Sequence, residues 1–230
     1  MAQATGAPLE FSLARMTELA EWCAQDGENI PTDEFCELLD MTCLLLQGMG
    51  SLMSVAFSDV AEKSVIMKGN KGFMIQEFGK DEELTLNAMI DEEISQGVIK
   101  LNGANNSSEC DRRKKNSWEW TYNSSGRNLV RMWWLTKFIT KLLDNLVNNA
   151  EMSLVAACKD AYQTGFVNHH PWLVRSGAGL AMNAAGNKAS LIAKWGCSDI
   201  EEARPCLEHF TLLRDHLHNL LNSRSLLDLP

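Results

Sequence analysis

The stretch Arg127–Val147, RNLVRMWWLTKFITKLLDNLV, decides the fold of this chain. Its first three turns past Arg127 carry Leu129, Val130, Met132, Trp133, Trp134, Leu135 and Phe138, and Ile139, Leu142, Leu143, Leu146 and Val147 follow. A helix that is apolar almost all round belongs at the centre of a fold, buried by its neighbours. Arg127 and Arg131 stand one turn apart at its beginning and share a face. Like charges at that spacing repel, and the helix N-terminus adds its own partial positive charge. An anion relieves all three, and a phosphate suits both backbone N–H groups and guanidinium forks. For these two residues alone, an arginine face paired with surface carboxylates is the competing reading.

Outward from this helix the chain reads as almost wholly helical, with proline and glycine marking the boundaries and little strand alternation. Pro8–Ala24 is amphipathic and stops at Asp26-Gly27. Thr32, after Pro31, is placed to cap a helix running to about Leu46, and Gly48 and Gly50 break the chain before a helix over Ser51–Lys68. On a wheel of that helix Leu52, Val55, Ala56, Ile66 and Met67 form one apolar arc, and Asp59 and Lys63 fall inside it. Charges among apolar neighbours need partners. The pair reads either as a buried structural ion pair or as a polar anchor at the mouth of an apolar cavity.

The spacing predicts a loop over Gly69–Lys80, a weaker helix over Glu82–Lys100 broken by Gly97, and a long polar loop over Asn102–Gly126. That loop holds DRRKK followed by Trp118 and Trp120, residue types that favour a membrane surface, although a solvated loop is the preferred account. Beyond the central helix comes an apolar helix over Glu151–Val167. Pro171 suits the first position of the next helix and sets His170 at its cap, with Trp172 beside it. A cap histidine is neither a good cap nor core filler, so its ring is available for recognition. The final helix runs from Asp199 to about Asn222, with Ser198 and Glu201 at capping-box spacing and Pro205 as a kink or restart.

Composition narrows the function classes. The chain of 230 residues has 21 basic and 30 acidic side chains, a net charge of −9, which argues against general nucleic-acid affinity and requires any anion site to be local. No apolar run approaches the length of a spanning helix, and the N-terminus lacks the pattern of a secretory signal, so a cytoplasmic protein is expected. The seven cysteines include no CxxC pair, and five sit in apolar helical patterns, as reduced core thiols would. His169 and His170 have no carboxylate or cysteine at ligand spacing, so no metal or cofactor is expected. A GxSxG elbow is missing too, and His170 with Asp59 lacks a nucleophile to activate, which sets an enzyme reading aside.

Asp59-x-x-x-Lys63, Arg127-x-x-x-Arg131 and His170-Pro171-Trp172, in that order in an all-helical chain ending SLLDLP, resemble the glycolipid transfer protein family. The resemblance is greatest to its ceramide-1-phosphate branch and runs from about Pro8 to Pro230, outside the polar loop. It implies an all-α, two-layer helical sandwich of one domain over 1–230, enclosing an apolar lipid pocket. It also implies a non-enzymatic carrier of a phosphorylated sphingolipid that touches membrane surfaces transiently. Carried over by residue, Asp59 would accept from the sphingoid amide and hydroxyl, and His170 would donate to the amide carbonyl. Lys63, Arg127 and Arg131 would hold the phosphate, and Trp172 would meet the membrane. The sugar-binding branch has a stacking tryptophan where this chain has Arg131. The chain departs from many phosphate-binding relatives at Gly97, where they carry an arginine; Lys100 lies one turn on. A sphingolipid sensor would need the same pocket, as would a carrier of neutral glycosphingolipid with a different head-group site.

Overall fold

The computed structural model describes residues 10–50, 58–101 and 122–229, without the side chains of Ser58 and Asp59. Among the described residues the chain is helical throughout. In order come α1 (Leu13–Ala24), α2 (Thr32–Gly48), α3 (Ser58–Phe78), α4 (Leu86–Ser95) and α5 (Ser125–Asn148). They are followed by α6 (Leu154–Gly165), α7 (Trp172–Asn183), α8 (Lys188–Lys194), a 3-10 turn (Ile200–Ala203) and α9 (Arg204–Ser223). An isolated antiparallel bridge pairs Pro31 with Thr85.

The central-helix expectation holds. In α5, Leu129, Val130, Phe138, Ile139, Leu142, Leu143 and Leu146 have no accessible surface. The helix packs most extensively on α6 and α9, and α3 and α4 also lie against it. α1 packs on α9 and α2, and α2 on α3, which completes a helical sandwich around one large apolar core. Gly165, at the end of α6, lies close against the backbone of α5. A Cβ there would stand 2.8 Å from both the Trp134 carbonyl oxygen and Phe138 Cβ. This approach brings the segment after α6, which holds His169 and His170, onto α5.

Several boundaries differ from the reading of the sequence. α3 runs through the expected loop Gly69–Lys80 as far as Phe78. Gly69 and Gly72 stand in open space, and the burial of Met67, Asn70, Lys71 and Met74 on one face outweighs the helix cost of two glycines. Thr32 is the first helical residue rather than the cap, and its hydroxyl donates to the Leu84 carbonyl at 2.6 Å instead. The capping box stands one residue later than expected, on Asp199 and Glu202, and Pro205 opens α9 after the 3-10 turn. The last residues of the expected polar loop are not loop-like. Tyr122, Ser124 and Ser125 are buried, and α5 already begins at Ser125. Trp118, Trp120 and the basic run before them lie outside the described residues.

Six described cysteines are free, five of them buried, and burial pushes the thiols of Cys36, Cys158 and Cys206 up to about 12. They are inert core residues.

Candidate functional site

The start of α5 is built by the turn that ends α4. Gly97 adopts φ +70, its N–H donates to Ile94 O at 3.0 Å, and Val98 N–H donates to Glu93 O at 2.9 Å. This is a Schellman ending, which a glycine completes without strain. An arginine at Gly97 would sit in the left-handed region, so here the position serves the turn. The turn sends Val98–Leu101 past the first residues of α5. Ser124 N–H donates to Leu101 O at 3.0 Å, and Ser124 Oγ donates to Ile99 O at 2.7 Å.

Arg127 emerges from this junction with 9% exposure. Its backbone N–H donates to Ser124 Oγ at 3.2 Å, and Nη1 donates to the Lys100 carbonyl at 3.3 Å. Its Nε is buried and has no partner among the described residues. Burial, and then the neighbouring Arg131 charge, hold its pKa below the ordinary arginine value. Arg131 is half-buried and donates from Nη1 to the Arg127 carbonyl at 2.7 Å, so the two guanidinium groups stay on one side of the helix. Among the described residues no carboxylate pairs with either arginine. Lys100 contributes a carbonyl to Arg127; its own side chain is described in no contact with the arginines.

Lys63 is buried at 7% exposure on α3, as its place on the apolar arc predicts. Two turns further along the same face, Asn70 donates from Nδ2 to Asn123 O at 2.8 Å and to Ser125 Oγ at 2.9 Å. α3 is thereby pinned against the start of α5, on the side that Lys63 shares. Asp59 lies in α3 one turn before Lys63, and its side chain is outside the described residues.

One element of the phosphate reading needs correction. The backbone N–H groups at the start of α5 are already taken. Glu93 Oε1 accepts from Ser125 N–H, Glu93 Oε2 accepts from Gly126 N–H at 2.9 Å, and Ser124 takes the next. A carboxylate of the protein's own occupies the helix terminus, because α4 ends directly beside it. An external anion there meets guanidinium groups, not amides.

His170 stands two residues before the first helical residue of α7, because Pro171 is itself the N-cap. Nor is its ring without company. Nδ1 is 2.8 Å from the Tyr162 hydroxyl, and the ring stacks on Phe166 at 5.0 Å. The adjacent His169 stacks on Trp134 at 3.7 Å and 7°. Burial, then Lys137 and His170, push the His169 pKa down. Beyond them α7 presents an apolar exposed face, with Trp172 at 72%, Leu173 at 74% and Leu180 at 67% exposure.

The tertiary structure thus brings Arg127, Arg131 and the buried Lys63 onto the adjoining helices α3 and α5. It sets the His169-His170 segment against α5 through Trp134. Sequence reasoning missed Glu93, which sits in the run Asp91-Glu92-Glu93 and reads there as a solvated face. It also missed Tyr162, whose only signal was its place in the apolar helix before His170. The larger of two described grooves, about 780 Å³, lies elsewhere, between α5, α6 and α9, lined by Lys137, Thr140, Thr164, Leu207 and Thr211.

A helical sandwich whose central helix opens with two guanidinium groups that meet no carboxylate among the described residues defines a class. The sequence model of the glycolipid transfer protein family matches residues 30–196, and the chain belongs to that family. Within it, the ceramide-1-phosphate transfer protein of Xenopus tropicalis is 22% identical over 96% of this chain and 97% of its own. That of Danio rerio is 24% identical over 76% of this chain and 74% of its own. Among solved structures, human ceramide-1-phosphate transfer protein in complex with 2:0 ceramide-1-phosphate superposes with a TM-score of 0.79 at 20% identity, covering 96% of this chain and 100% of that one. A mutant of Arabidopsis accelerated-cell-death 11 complexed with C12 ceramide-1-phosphate gives a TM-score of 0.73 at 17% identity, over 93% and 96% of the two chains.

Proposed function

We propose that this chain is a single-domain, non-enzymatic carrier that binds ceramide-1-phosphate, or a closely similar phosphorylated sphingolipid, and moves it between membranes. The observation that carries the proposal is the buried Arg127, whose Nε has no partner among the described residues, beside Arg131. Two guanidinium forks with Lys63 balance a phosphate of about −1.5 to −2 charges. The relatives' names and the ceramide-1-phosphate in the solved structures support the same head group.

Asp59 and His170 read the sphingoid amide from its two sides. The Tyr162 hydroxyl lies 2.8 Å from His170 Nδ1; in the tautomer where it donates there, the hydrogen of a neutral imidazole is on Nε2, the form that donates to the amide carbonyl. The lipid chains enter the apolar layer under α5. Met16, Met41, Met49, Met67 and Met132 contribute to that core, and unbranched thioether side chains adapt readily to a new shape.

Trp172, with Leu173 and Leu180 on the exposed face of α7, touches the bilayer while the lipid passes. No helix among the described residues is long and apolar enough to cross a membrane. The contact proposed here is a transient one, made from the cytoplasmic side. The chemistry ends at binding and release.

The test is vesicle-to-vesicle transfer of ceramide-1-phosphate against a neutral glycosylceramide, with the wild type and Arg131→Leu. Phosphate-selective transfer that collapses in the variant is expected. Equal transfer of the sugar lipid would reassign the head group. Binding without transfer would make the chain a sensor.

A further inference from the structure

We propose that Glu93 is a positioning residue for the lipid phosphate: its carboxylate fills the start of α5, fixes the residues that carry Arg127, and leaves the phosphate to the side chains alone. The inference rests on the phosphate reading above. Glu93 has no accessible surface. Its carboxylate accepts three hydrogen bonds, from Tyr122 Oη at 2.6 Å and from the N–H groups of Ser125 and Gly126. A buried carboxylate is costly unless its lone pairs are met, and here three donors and a helix N-terminus meet them. Burial pushes the carboxyl pKa up, and the same donors pull it back.

The residue joins two elements through both of its parts. Its backbone carbonyl closes the turn that ends α4, and its side chain opens α5. The fit is close on the α5 side: a Cβ at Gly126 would displace the end of the Ile99 side chain and come into ordinary contact with Glu93 Oε2, at 3.5 Å. Arg127 is the next residue, and its Nη1 contact is with Lys100 O, on the strip of chain that the same turn delivers. Glu93 therefore holds both the backbone that bears the guanidinium and the carbonyl that orients it, without touching the lipid. It also excludes an anion from the helix terminus, so that the guanidinium groups decide where a phosphate sits.

Glu93→Gln keeps the shape but turns one N–H₂ toward a donor at the start of α5, which loosens that end. The test is a double-mutant cycle with Arg127→Met, read as the affinity for short-chain ceramide-1-phosphate by intrinsic tryptophan fluorescence. Glu93→Gln is expected to weaken binding about tenfold, the scale of one charge-assisted hydrogen bond lost at the phosphate. In the Arg127→Met background the same change should cost less than about twofold, since coupling appears only between residues acting through one another. A purely structural role would weaken binding equally in both backgrounds, and that result overturns the proposal. So does an unaltered affinity of Glu93→Gln. Arg127→Met binding like wild type would overturn the phosphate reading itself. Should Glu93→Gln not fold, Tyr122→Phe removes one of the three donors and is expected to show a smaller loss with the same dependence on Arg127; a loss independent of Arg127 refutes the proposal.

Discussion

Arg127→Met should make the lipid-free protein more stable while disabling it. Without lipid, Arg127 is a buried cation whose Nε has no partner among the described residues and whose Nη1 makes one long hydrogen bond of 3.3 Å. A buried donor left unsatisfied costs about 1–3 kcal/mol, and the bond lost with Lys100 O returns only about 0.5–1.5 kcal/mol. Methionine retains the apolar stem and removes the repulsion from Arg131. The net gain is about 1 kcal/mol, a rise in melting temperature of roughly 2–4 °C for a chain of this size. Binding moves the other way, because charge-assisted bonds to the phosphate are worth about 1.5–3 kcal/mol, or about 10- to 100-fold in affinity. Calorimetric melts of both proteins, with and without saturating short-chain ceramide-1-phosphate, read the two effects together. Ligand stabilisation follows the ratio of concentration to Kd, so the order of melting temperatures should reverse when lipid is added. A variant that melts below wild type without lipid would refute the reasoning, since Arg127 would then be a satisfied structural residue.

Tyr162→Phe removes the hydroxyl beside His170 Nδ1 and keeps the ring. It should weaken sphingolipid binding by roughly 3- to 10-fold, the worth of one net hydrogen bond, in a fluorescence titration. Trp172→Ala with Leu173→Ser changes exposed side chains of α7, so the melting temperature should hold within the effect of about 0.5 kcal/mol typical of surface changes. Vesicle-to-vesicle transfer should nevertheless fall at least about tenfold, as each apolar side chain buried in the interface is worth about 1.5–3 kcal/mol. Gly165→Val places a side chain against the backbone of α5 at Trp134 and Phe138, and should destabilise by about 1–3 kcal/mol or more in denaturant unfolding. The Arg224–Asp91 pair, at 2.6 Å, ties the end of α9 to α4 and holds the Asp91 carboxyl below its ordinary value of 3.8. A depressed carboxylate stabilises above its unfolded pKa, and that contribution is lost as pH falls below about 4. Asp91→Asn should flatten this acid limb of an unfolding profile, by less than about 1 kcal/mol because Asp91 is half exposed.

The order Asp59, Lys63, Arg127, Arg131, His170, Trp172 was legible as residues because each breaks the local pattern around it. A lysine in an apolar arc, two arginines opening an apolar helix and a histidine before Pro-Trp are anomalies that period and spacing expose. α5 was equally plain, because apolarity on every face admits no surface role. The end of α3 was not. Gly69 and Gly72 argue for a break, and only packing of Met67, Lys71 and Met74 against neighbouring elements overrides them. The cap at the start of α5 escaped for a related reason. Glu93 belongs to an acidic run, and no local periodicity says which of three carboxylates turns inward.

The sequence by itself determined the class of fold and which charges would be out of place in it, since hydrophobic period and composition are properties of each segment alone. The tertiary structure alone decided how those charges are satisfied. It placed Glu93 at the terminus of α5, gave His170 its tyrosine, and left Arg127 Nε without a partner among the described residues. Hydrogen bonds between residues tens of positions apart depend on where separate helices end relative to one another, and that register exists only once the helices pack.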